Sequence, residues 1–245
     1  IYRGRVEALS GIMSIIRDSK SEDVLIADCD MMANIDLRPF AKAHKESGAE
    51  MTLMYKKQYF DGIPTRDLST LLLDEEENVT GMRVNPEIRG EQNEYLNMMI
   101  ISRELLDWLI RDCVSRNMMS FEGDLLQGNI GKFSMKGYEY DGYATRFDSV
   151  RAYYESSLAL LDPKVRAELF PPERPIYTNV WDEAPVRYGL DAKVENSLLA
   201  DGCIIEGEVT NCLLSRGVYV GKGAKVRNSV LMQGTHIGAH TKLDC

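Results

Sequence analysis

Residues 196–199, 211–214 and 228–231 read Asn196-Ser197-Leu198-Leu199, Asn211-Cys212-Leu213-Leu214 and Asn228-Ser229-Val230-Leu231, one phrase repeated at intervals of fifteen and then seventeen residues. Each phrase is followed three residues later by a glycine, at Gly202, Gly217 and Gly234. Ile205, Val220 and Ile237 then recur in step, as do Val209, Val226 and Leu243. Small and branched apolar residues at this spacing, with glycine at corners, predict coils whose faces are short parallel strands, each stacked on the next. One coil cannot bury its own apolar face, so the repeats must pack on one another. The phrase therefore predicts a parallel β-helix over residues 187–245, still running at Cys245.

Upstream, the run Pro171-Pro172-Glu173-Arg174-Pro175 denies the backbone both helix and ladder bonds. It marks residues 171–186 as a Pro-rich linker and 1–170 as a separate domain. In that domain Val6, Leu9, Ile12, Met13 and Ile16 share one helical face, and the polar run Asp18 to Asp23 interrupts it. Val24-Leu25-Ile26-Ala27 is a continuous apolar run of the kind a buried parallel strand carries, and it ends at Asp28-Cys29-Asp30. A second helix is predicted after Asp36 with Leu37, Phe40, Ala41 and His44 on one stripe and Gly48 as its stop. Met51 to Tyr55 reads as a strand. Leu71-Leu72-Leu73 and Val79 to Val84 flank the acidic turn Asp74 to Asn78 and predict a hairpin outside the parallel sheet. Met98 to Ile101 predicts a strand that feeds a helix from Ser102 to about Val114, and Asp148 or Ser149 is the expected cap of a helix through Val150, Tyr153, Leu158 and Leu161. Strands and helices in this alternation predict an α/β sheet wrapped by helices, with ligands at the carboxyl ends of its strands.

The bulk numbers bound the function. A formal net charge of -9 argues against a nucleic-acid surface, which needs a basic stripe to displace counterions from phosphates. The five cysteines, Cys29, Cys113, Cys203, Cys212 and Cys245, are odd in number and form no C-x-x-C pair, which is cytosolic usage and implies a cytoplasmic protein. No apolar run reaches the roughly 18 residues of a membrane helix, and the first twenty residues show no secretory pattern. Because the chain begins at Ile1 and its repeats have not ended at Cys245, the expectation is a piece truncated at both ends.

Two segments carry a family resemblance. Tyr2-Arg3-Gly4-Arg5-Val6-Glu7-Ala8-Leu9 resembles the Y-R-G-T-A-D-A-V segment of bacterial ADP-glucose pyrophosphorylases, and Leu25 to Leu37 resembles their L-S-G-D-H-I-Y-K-M-D-Y. The Tyr143 to Ser149 stretch and the repeat wording look like the regulatory D-type subunits of Firmicutes within that family. The resemblance implies a Rossmann-like nucleotidyltransferase domain, its N-terminal part missing, followed by a left-handed β-helix of hexapeptide-type coils. It also implies a reaction that joins glucose 1-phosphate to the α-phosphate of ATP, releasing pyrophosphate, for glycogen synthesis. Such chemistry is won by positioning and charge neutralisation. The family uses Mg²⁺ held by two aspartates, a lysine on the sugar phosphate and a Gly-rich loop that would lie upstream of Ile1.

Carried over position by position, the pocket is altered. Asp30 stands at the first metal aspartate, with Asp36 six residues later as in the motif. Ala144 to Tyr154 aligns with W-R-D-V-G-T-L-E-A-Y-W and puts Arg146 where the second metal aspartate stands, a cation that should repel Mg²⁺; Asp148, two residues on, reads as a helix cap. Asn85 takes the place of the sugar-phosphate lysine, with Val84 in place of the preceding Glu. Asn97 replaces a Gly that allows close approach of ligand, and Arg5 replaces a Thr near the nucleotide. These changes predict a regulatory subunit without its own metal site, assembled in an oligomer with a catalytic subunit of glucose-1-phosphate adenylyltransferase, and with ATP, a sugar phosphate or an allosteric effector as possible ligands. Two alternatives stand beside it. Arg146 and Arg5 could neutralise phosphates in an active sugar-phosphate nucleotidyltransferase. His236 or His240 could serve as the base of a hexapeptide acyltransferase, although in a β-helix they lie around a corner and read as solvated side chains.

Overall fold

In the computed structural model the described residues are 4–61, 68–87 and 89–245. Tyr2 and Arg3 of the first family segment lie outside them. In chain order the elements are α1 (Arg5–Asp18), β1 (Asp23–Ala27), β2 (Met31–Ala33), α2 (Leu37–Ser47), β3 (Met51–Asp61), β4 (Ser69–Leu73), β5 (Val79–Val84), β6 (Arg89–Ser102), α3 (Arg103–Ser115), β7 (Met135–Glu139), β8 (Ala144–Arg146), α4 (Val150–Ala159) and α5 (Pro163–Leu169). Short strands follow: β9 (Arg187–Tyr188), β10 (Lys193–Glu195), β11 (Leu198–Leu199), β12 (Ile204–Ile205), β13 (Glu208–Thr210), β14 (Leu213–Leu214), β15 (Tyr219–Val220), β16 (Lys225–Arg227), β17 (Val230–Leu231), β18 (His236–Ile237) and β19 (Lys242–Asp244). They form two compact units, residues 1–31 with 35–142, and residues 32–34 with 143–245. Residues 171–186, which the sequence marks as a Pro-rich linker, fall within the second unit.

The first unit is a mixed sheet in the order β5-β4-β6-β3-β7, with β1 also on β6. The apolar run of β1 was expected to be a buried parallel strand. Its neighbour β6 is antiparallel instead, and Leu25 is 40% exposed. Because β6 is antiparallel to both β1 and β3, while β3 and β7 are parallel, β1, β3 and β7 point the same way. An apolar run of this length does not encode its neighbour's direction. The hairpin β4–β5 was expected outside the sheet. It joins the sheet through Thr70↔Glu94 and Leu71↔Asn93, because β6 is long enough to carry β4 along its first half and β1 along its second.

The helices follow their sequence signals. Val6 and Met13 of α1 are buried with Leu106, Leu109, Ile110 and Cys113 of α3, and Asp107 ties the pair by accepting from Arg17 at 2.7 Å. The Asp36 side chain accepts from the Arg38 backbone N–H to start α2, and Gly48 ends it in the left-handed region at φ 62. Ser102 caps α3 in the same manner, its hydroxyl accepting from the Leu105 N–H.

The second unit holds the β-helix. Its coils stack as three parallel sheets, β9-β12-β15-β18, β10-β13-β16-β19 and β11-β14-β17. Ile205, Val209, Leu214, Val220 and Val226 fill the interior together with the free thiols Cys203 and Cys212. The corners explain the repeat. Asn196, Asn211 and Asn228 adopt φ of 42, 53 and 47, and Gly202, Gly217 and Gly234 adopt 77, 67 and 69. Both corners therefore need left-handed backbone, which Gly and Asn adopt at least cost. The asparagines also bond along the stack: Asn196 Nδ2 donates to Asn211 Oδ1 at 2.8 Å, Asn211 Nδ2 to Asn228 Oδ1 at 3.3 Å, and Asn228 Nδ2 to Asp244 Oδ1 at 2.9 Å. One corner is shortened by two residues between Ile205 and Val209 relative to the next coil. Gly207 sits there, and a Cβ on it would stand 2.5 Å from the Ala224 carbonyl oxygen.

The rest of this unit leans on the coils. Ser149, rather than Asp148, caps α4 by accepting from the Ala152 N–H. Tyr154 of α4 donates its hydroxyl to the Asn228 carbonyl at 2.5 Å. Asn34, beside the short strand β2 that pairs with β8, donates to the carbonyls of Leu169 at 2.8 Å and Arg174 at 2.9 Å. That strap assigns residues 32–34 to the second unit, and no sequence signal announced it. No helix among the described residues is long and apolar enough to cross a membrane.

Candidate functional site

The candidate site of the first unit lies at the carboxyl end of β1, level with a bulge in β6. Opposite β3, Met54 pairs with Met98 but Tyr55 pairs with Tyr95, so Leu96 and Asn97 are extra residues on β6. Bulges of this kind re-aim side chains and recur beside active sites. Asn97 sits in the bulge at φ 53, which accounts for an asparagine where the resembling family has glycine: either residue accepts this backbone. It is only 2% exposed, and its Nδ2 donates to Asp28 Oδ2 at 2.8 Å.

Asp28 is the hub. Arg5, in the first turn of α1, donates from Nη2 to the same Asp28 oxygen at 2.6 Å. Its Nη1 lies 2.6 Å from Glu122 Oε1, on the π-helical turn Phe121–Leu126, and its guanidinium stands 5.7 Å from the centroid of the Phe121 ring. One cation thus faces two carboxylates and an aromatic face, all partly or fully withdrawn from water. Charge-assisted bonds of this geometry are about twice as strong as neutral ones. Arg5 is therefore already neutralised by its own chain, and a phosphate would have to displace carboxylates to reach it.

The structure brings Arg5 and Asn97 together on Asp28. Asn85 is exposed after β5 at φ 50, and its N–H donates to the Leu68 carbonyl at 2.7 Å. The left-handed turn is a backbone reason for asparagine there, independent of ligand. Asp30 is half-buried beyond the end of β1, and Arg146 is half-buried on β8 of the second unit. Asp36 is engaged as a helix cap and accepts from Arg38 Nη2 at 2.7 Å. Among the described residues no group of three or more His, Cys, Asp or Glu side chains is placed to hold a metal ion. His236 is exposed and stacks on Tyr219 at 4.4 Å between ring centroids, while His240 turns a corner at φ 61.

Sequence reasoning had named Asp28 only as one of the acids ending a strand, and had missed Glu122 and Phe121. The excess of acid after an apolar run was the one available signal for Asp28. Nothing local marks Glu122, which meets Arg5 from 117 positions away along the chain.

Comparisons with known proteins bear on the fold and the family. The family described as GlmU-like, C-terminal hexapeptide, matches residues 186–245. The glycogen biosynthesis protein GlgD of Bacillus subtilis is 39% identical over 137 residues, 56% of this chain and 40% of that protein. GlgD of Geobacillus stearothermophilus is 52% identical over 71 residues, 29% of this chain and 21% of that protein. A glucose-1-phosphate adenylyltransferase of Clostridioides difficile is 25% identical over 238 residues, 94% of this chain and 60% of that protein. The chain thus spans between a fifth and three fifths of the lengths of these relatives. Its similarity is to the ADP-glucose pyrophosphorylases and, within them, to the D-type proteins named GlgD, with a hexapeptide β-helix as its C-terminal part.

Proposed function

We propose that the chain is part of a D-type subunit that works in glycogen biosynthesis as a non-catalytic, regulatory partner of glucose-1-phosphate adenylyltransferase. The observation that carries this reading is the closed set Arg5–Asp28–Glu122 with Asn97, at positions where the resembling enzymes keep Thr and Gly. A pocket that forms glucose 1-phosphate adducts must gather positive charge around phosphates. Here Arg5 is bound to two carboxylates, and the lysine position is an exposed asparagine in a turn. The scaffold remains while the charge needed for turnover has gone, and on this reading the chain holds no Mg²⁺ of its own. Its five free cysteines suit the reducing cytoplasm.

Pyrophosphate release by the isolated protein, supplied with Mg²⁺, ATP and glucose 1-phosphate, tests the non-catalytic half of the proposal. The expected result is no release above the protein-free control. Turnover that disappears in Asp30→Asn would establish an active nucleotidyltransferase instead.

A further inference from the structure

We draw no further inference here: the strongest candidate, the buried side-chain cluster in which His44 of α2 meets Thr52 of β3 at 2.8 Å and lies 3.6 Å from Asp23 of β1, keeps its imidazole and hydroxyl closed to solvent, so nothing in the structure shows what it would bind or act on.

Discussion

At the scale of single residues, two side chains decide most. Asn211 holds a left-handed corner and bonds to both its neighbours in the ladder, Asn196 and Asn228. Asn211→Ala must accept a strained backbone and lose both bonds, an expected cost of about 2–3 kcal/mol. Asn211→Gly keeps the backbone free and should cost about 1 kcal/mol less than alanine, an ordering that urea unfolding of the two variants checks. The second side chain is Asp28, which serves Arg5 and Asn97 at once. Asp28→Ala leaves a mostly buried guanidinium with Glu122 alone and an Asn97 amide without its acceptor, for an expected loss of about 2–4 kcal/mol. Chemical denaturation should show it, and a loss under 0.5 kcal/mol would mean that the network is ornamental. These residues also show how legible the site was. Asn97 was noticed as a lost glycine, but its compatibility with φ 53 depends on a bulge that only the pairing of β3 with β6 creates. Arg5 was noticed as a gained cation, but its neutralisation depends on Glu122, which no spacing rule connects to it.

At the scale of elements, the hexapeptide coils were readable because their period is local: every residue that a corner needs recurs in the sequence at that corner. The sheet of the first unit was less readable, because strand order is set by which long strand offers free edges. β6 could take β4 and β1 together, and nothing in the apolar run of β1 says so. The acidic turn of the β4–β5 hairpin has a measurable consequence. Tyr55 on β3 directs its hydroxyl toward Glu77 at 3.4 Å and Glu139 of β7 at 3.5 Å. Burial first, and then these two carboxylates, push its phenol up to about 12. A group whose folded value lies above its unfolded one adds stability that is complete below the unfolded value of about 10 and lost as pH rises through the folded value. Between pH 10 and 12 this group should therefore cost the fold about 2–3 kcal/mol. Tyr55→Phe should flatten the alkaline limb of the stability–pH profile across that window, and an unchanged limb would assign the loss to other groups.

At the scale of the whole molecule, the proposed function separates scaffold from chemistry. The described residues keep a buried core in the first unit and stacked coils in the second, while on the proposed reading the positions that would carry charge to a phosphate hold a neutralised arginine, an exposed turn asparagine and a cation at a metal position. On that proposal the chain alters a partner's activity by contact. The direct measurement is ADP-glucose formation by the catalytic glucose-1-phosphate adenylyltransferase of the same source, with and without the full-length protein that contains this chain. The account predicts that the two proteins co-purify and that the mixture forms ADP-glucose several-fold faster than the catalytic subunit alone. Failure to co-purify, together with an unchanged rate of ADP-glucose formation, would contradict it.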